Sequence, residues 1–204
     1  MIPGFTKHRA AGPTAVTWNP SDKGPDIVLS SGNLAAAPSG SYTTHEAVRA
    51  TLSRSTGKWC IEFECTATGA SNYTVVGLAN SSMALGPSSM AFPGSDANGW
   101  GYYELDGSKY HNGTSAAYGA SYGIGDVITA YWDADAGLLW YAKNGAVQAG
   151  GDPAAGTGAA FSGVTGTLFP ALNIFASNGG SFSLRPGSST IAYPIAGFGA
   201  WDGS

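Results

Sequence analysis

Charge is scarce in this chain. Only 11% of its 204 residues are Asp, Glu, Lys or Arg, and the formal net charge is −4. The nine Lys and Arg are scattered and form no clustered basic face to displace counterions, so nucleic-acid binding is disfavoured. Long apolar runs are missing too. None approaches the roughly 18–20 residues that cross a bilayer as a helix. The opening MIPGFTKHRAAGP has no continuous apolar stretch of the kind a secretory signal carries. Neither membrane insertion nor classical export is expected, which leaves lysis or virion assembly as routes out of a cell. Cysteine is limited to Cys60 and Cys65. On a strand, five residues separate them by roughly 16 Å and point them to opposite faces, whereas a disulfide needs Cα atoms within about 7 Å. They read as two buried thiols. His8, His45 and His111 lack metal-ligand spacing, and no phosphate-binding G-x-x-x-x-G-K-[ST] occurs. No metal and no cofactor are expected.

Glycine and aromatic residues are abundant: 31 Gly, and 12% Phe, Trp and Tyr. The chain is organised around residues 125–145, GDVITAYWDADAGLLWYAKNG. Two runs rich in β-branched and aromatic residues, 127–132 and 138–142, flank a short Asp/Ala/Gly turn, and Asn144-Gly145 supplies another. This predicts a strand–turn–strand unit in an all-β domain. Turn signals recur throughout and no polar linker divides the chain, which predicts one domain over residues 16–185. Before it lies an irregular arm, residues 1–15, with Lys7, His8 and Arg9. After it comes a Pro/Gly-rich apolar tail, residues 186–204, expected to pack on its own domain or on another subunit.

Residues 58–65, KWCIEFEC, alternate most cleanly. Trp59, Ile61, Phe63 and Cys65 fall on one face and Cys60, Glu62 and Glu64 on the other, which predicts a strand half exposed to water. Pro170, inside LFPALNIF, predicts an edge strand or a bulge. Residues 80–99 are the longest irregular stretch, and their Met83, Leu85, Met90 and Phe92 either fold back on the domain or form a contact surface. No extended 3.6-residue period appears, so helix is minor.

Catalytic patterns fail on context. Residues 119–123 match G-x-S-x-G, but a strand follows where the nucleophile elbow needs a helix. Glu104 and Asp106 have the start of a jelly-roll glycosidase pattern, yet Lys109 stands where a further carboxylate belongs and Asp106-Gly107 reads as a turn. Asp133 and Asp135 lack the ligands of a calcium loop.

Six segments then carry a family resemblance: GKW at 57–59, VGLA at 76–79, GWGYYELDGSKYHNG at 99–113, YG at 118–119, the stretch 125–145, and LFPAL at 168–172. In this order they resemble the SPRY domain. The resemblance implies an all-β, two-sheet antiparallel β-sandwich of the concanavalin-like jelly-roll type, non-enzymatic, that binds peptides or protein surfaces through loops. Residues 18–33, WNPSDKGPDIVLSSGN, are similar to the start of SPRY domains in bacteriophage and prophage proteins. The leading expectation is therefore a phage virion structural or adhesion protein: a tail fibre, spike or capsid decoration present in multiple copies or as a homo-oligomer. It would be assembled in the bacterial cytoplasm and anchored to other virion proteins by the arm or the tail. Its ligand would be a host-surface glycan or protein, with Met90, Phe92, Asn98, Tyr102, Tyr110 and Asn112 as candidate contacts. The alternative is an intracellular peptide-binding module, and a third reading is a jelly-roll glycan hydrolase.

Overall fold

The computed structural model describes residues 15–40, 44–69, 72–175 and 180–204. Apart from Ala15, the arm expected over residues 1–15 lies outside them. In chain order the strands are β1 Trp18–Lys23, β2 Ile27–Ser30, β3 Ala35–Pro38, β4 His45–Ala50, β5 Lys58–Ala67, β6 Val75–Ala79, β7 Gly99–Tyr103 and β8 Lys109–His111. They continue as β9 Thr114–Ala116, β10 Val127–Asp133, β11 Leu138–Lys143, β12 Ala146–Val147, β13 Phe161–Ser162, β14 Phe169–Phe175, β15 Ser181–Arg185 and β16 Gly199–Ala200. Among the described residues the only helical piece is a 3-10 turn, Gln148–Gly150.

The strands form two sheets. One runs β1-β4-β14-β6-β7-β8-β9, the other β12-β11-β10-β5-β15-β3-β2, with β13 beside β11 and β16 beside β5. All pairings are antiparallel except β16 with β5. The sheets enclose one core, to which the first gives Val48, Val76, Leu78, Tyr102 and Leu172 and the second Ile61, Phe63, Ile128, Trp132 and Tyr141. The predicted hairpin is central: β10 pairs with β11 on one side and β5 on the other. Asn144 and Gly145 turn the chain with φ of 49° and 81°, values a β-branched residue would resist.

Two local expectations change. Pro170 is on an interior strand, β14, between β4 and β6. It is tolerated because pairing to β4 begins only at Ala171, so at Pro170 the strand is laddered to β6 alone. The face of Cys60 and Glu62 is covered rather than wet: both are buried beneath residues 191–200. Ile191, Ile195 and Phe198 pack there on Cys60, Tyr131 and Trp140. The Glu62 carboxylate accepts the N–H groups of Ala192 and Tyr193, each at 2.8 Å, and the Thr129 hydroxyl at 3.3 Å. Of the two packings expected for the tail, on its own domain or on another subunit, the first is seen here. Trp201 is fully buried, stacks on Trp132 at 6.0 Å and donates its indole N–H to Leu52 O.

Candidate functional site

The outer face of the first sheet is a track of small residues. Period-two alternation places Ala47, Ala171, Gly77, Ala79, Gly99 and Gly101 on it. A face with so little side chain lets backbone approach, and residues 80–98 lie across it. Met83 and Leu85 pack on Ala47, Ala79 and Ala171. Pro93 sits over Gly101, where an added Cβ would meet the Pro93 carbonyl and Val75. The loop's ends are tied by Asn80 N–H to Asn98 O at 2.9 Å. Asn98 in turn donates its backbone and side-chain N–H groups to Asp96 at 2.8 and 2.9 Å. Beyond the short β1, the loop pairs with the edge of β4 through His45 N–H to Ser88 O at 2.8 Å and Ala47 N–H to Leu85 O at 2.9 Å.

Where the small residues end, aromatic rings begin, and they close a circuit. Tyr73 meets Tyr103 (centroids 6.3 Å), Tyr103 meets Tyr110 (5.5 Å), and Tyr110 meets Phe92 (5.7 Å). Phe92 meets His45 (5.2 Å), His45 meets Phe175 (4.9 Å), and Phe175 returns to Tyr73 (5.4 Å). Most neighbours are tilted or edge-to-face, the arrangement aromatic quadrupoles favour. The rings come from β4, β14, β7, β8, the residue run before β6, and the long loop. Five of them, all but Phe175, line an open cavity of about 180 Å³ together with Val75.

The polar support beneath the cavity is specific. The Asn173 side-chain carbonyl accepts the Val75 N–H at 2.7 Å, so its NH2 faces Nδ1 of His45 at 2.7 Å. His45 Nδ1 is therefore the acceptor and the ring is the neutral Nε2–H tautomer. Burial lowers its pKa in the same direction. Burial, then the nearby phenols of Tyr110 and Tyr73, raise the Tyr103 pKa.

Exposed apolar side chains continue this end of the sandwich. Glu104 N–H bonds to Thr74 O and Tyr122 N–H to Glu104 O. These bonds hold side by side the turns that carry Tyr73, Leu105 and Ile124, all exposed, Ile124 at 69%. Met90, half exposed at 50%, lies on the loop two residues before Phe92.

Of the six candidates from sequence, Phe92 and Tyr110 line the cavity and Met90 is near it in the chain. Asn98 braces the loop base, its amide taken by Asp96 and Asn80. Asn112 is exposed in the β8–β9 turn with φ of 51°. Tyr102 is corrected: it is 0% exposed, packed among Tyr118, Tyr122 and Tyr141, and its phenol donates to Ala120 O. A ligand cannot reach it. The residue beside it, Tyr103, takes the outward position.

The hydrolase reading also loses its carboxylate. Glu104 is 0% exposed, and burial pushes its carboxyl up to about 7. Asp106 is a turn residue accepting Ser108 N–H at 2.9 Å. Asp133 accepts Ala136 N–H and pairs with Lys58, both at 2.9 Å, while Asp135 accepts Gly57 N–H, so both serve turns. Among the described residues no group of three or more His, Cys, Asp or Glu could hold a metal ion.

Comparison with known proteins gives a consistent result. The family model described as "SPRY domain" matches residues 58–186. Ran-binding protein 10 of Danio rerio is 31% identical over 139 residues, covering 65% of this chain and 22% of that protein. Ran-binding protein 9 of Xenopus tropicalis is 29% identical over 144 residues, covering 68% and 26%. The chain thus spans about a quarter of the length of the curated relatives it matches. The solved SPRY domain of human HERC1 has the same fold, with a TM-score of 0.64 at 20% identity, over 82% of this chain and 96% of that one.

Proposed function

Because this chain belongs to the SPRY domain family, we propose that it is a non-catalytic protein-recognition module that takes a short peptide segment at the ring-lined cavity. SPRY domains are generally interaction modules without chemistry of their own. The observation that carries the reading is the closed circuit of Tyr73, Tyr103, Tyr110, Phe92, His45 and Phe175, open to solvent beside exposed Met90, Leu105 and Ile124. Rigid aromatic side chains around a small pocket supply large contact area at low entropic cost, which is the usual composition of a binding hot spot.

Peptide is favoured over glycan by the amides. Sugar recognition would use Asn98 and Asn112 beside the rings, but Asn98 is committed to Asp96 and Asn80 and Asn112 turns a hairpin. The animal relatives support peptide recognition in preference to virion adhesion, which rests on the phage-like start at residues 18–33. Their names record binding of Ran. The matched portion is about a quarter of each of those proteins.

The test is selection of peptides from a random library on the full chain, followed by titration of the winners against Tyr110→Leu and, as a control, Val28→Thr on the exposed β2. The expected result is a loss of about tenfold or more in affinity for Y110L and no change for V28T. Winners that bind both variants like the parent overturn the site. Detection of the chain in purified phage particles would restore virion adhesion as the leading role.

A further inference from the structure

The circuit also has a charge preference. Its six neighbouring centroid distances run from 4.9 to 6.3 Å. The five rings that line a cavity of about 180 Å³ stand close enough to a group at its centre for cation–π contact, which reaches about 6 Å. The lining contains three tyrosines, Phe92, Val75 and a neutral His45, and neither lysine nor arginine. The basic side chains nearest in sequence are engaged elsewhere: Arg49 pairs with Asp22 at 2.8 Å, and Lys109 reaches Ala160 O on the other face of the sheet. The carboxylates bordering this end, Asp96 and Asp106, belong to the adjoining turns.

We propose that the cavity receives the trimethylated ammonium of a lysine side chain presented by the bound peptide; this rests on the peptide-recognition reading above. Methylation suits the lining in two ways. A trimethylammonium has no N–H groups to leave unpaired, and no carboxylate lines the cavity to pair with one. Its methyl groups are apolar and fill a space bounded by rings while the charge remains over their faces. The closed outline also separates this ligand from a polyproline ridge. Proline-rich ligands lie along extended aromatic grooves, whereas a cavity of about 180 Å³ lined by five rings accepts a single head group.

The test uses three acetylated and amidated Gly-Lys-Gly probes: one with trimethyllysine, one with unmodified lysine, and one with the neutral tert-butyl isostere. Binding is followed by NMR of the Val75 methyls and the tyrosine rings. The trimethyl probe is expected to shift Val75, Tyr73, Tyr103 and Tyr110 together and to bind about tenfold tighter than the isostere. Tyr110→Leu should remove that preference, and Tyr103→Phe, which keeps the ring, should retain it. Equal affinity for the isostere would overturn the charge preference. Tighter binding of free choline than of the trimethyl probe would overturn a peptide source. Library winners that lose affinity on Y110L, beside a trimethyl probe that binds no better than unmodified lysine, would sink this inference and leave peptide recognition standing. Winners indifferent to Y110L would sink the recognition reading itself.

Discussion

Asn173 donates its side-chain amide to His45 Nδ1 across 2.7 Å. The other end of the same amide holds the Val75 N–H, so it cannot turn over without leaving a buried donor unpaired. Protonating His45 places two N–H groups nose to nose. The folded pKa is depressed, so this contribution to stability is complete above the ordinary value of 6.5 and is lost as pH falls through the folded value. Asn173→Asp keeps an acceptor for Val75 and offers His45⁺ a counter-charge. The imidazole midpoint, followed by NMR, should rise by at least about one unit in N173D. An unmoved midpoint would show that the tautomer is set elsewhere.

The buried carboxyl of Glu104 gives the opposite pH dependence. Its folded value, about 7, lies above the ordinary 4.5. The stability it contributes is therefore present below about 4.5 and declines as pH rises through about 7, by up to about 3 kcal/mol. Glu104→Gln keeps the shape without the ionisation. Thermal melts should show E104Q gaining on the parent between about pH 5 and pH 8.5, and parallel curves would refute the assignment.

Glu62 predicts how the C-terminal residues open. Glu62→Ala leaves the N–H groups of Ala192 and Tyr193 without their acceptor, at a cost of about 2–4 kcal/mol. Cys60 lies under that segment, and burial pushes its thiol up to about 12. Native-state labelling with a thiol reagent should therefore be slow in the parent. In E62A it should accelerate at Cys60 well before Cys65, which lies in the central core. Equal acceleration at both cysteines would mean global unfolding.

Gly101 controls how the long loop sits. A methyl group there meets Pro93 and Val75, so Gly101→Ala should lower stability by about 1–3 kcal/mol. It should also weaken peptide binding, because Phe92 belongs to the displaced loop. A stable G101A with full affinity would show that the loop's seat is unrelated to the cavity.

The two-sheet fold was legible because its strongest signals are local. Alternation at β5 and the turn residues of the central hairpin need no distant partner to be read. The site is non-local. In GWGYY, alternation separates Tyr102 from Tyr103, but both are aromatic, and only the opposing sheet decides that Tyr102 goes inward. His45 and Phe175 meet through the β4–β14 register, which no spacing announces. The Gly99, Gly101 track was the available signal, since glycine on alternate positions of a strand marks close approach of another segment. Glu62 looked solvated because its cover lies about 130 positions away and carries no periodic pattern.

Trp201 O accepts the Nε and Nη2 N–H groups of Arg54, at 3.0 and 2.7 Å, across 147 positions of sequence. Its indole fills the core against Trp132. Every principal strand thus precedes in the chain the last side chain that the core receives. Until Trp201 docks, the sandwich carries an unfilled hole between its sheets, and until residues 191–198 dock, an unshielded apolar outer face. Such non-local closure folds slowly and exposes aggregation-prone surface in the interval.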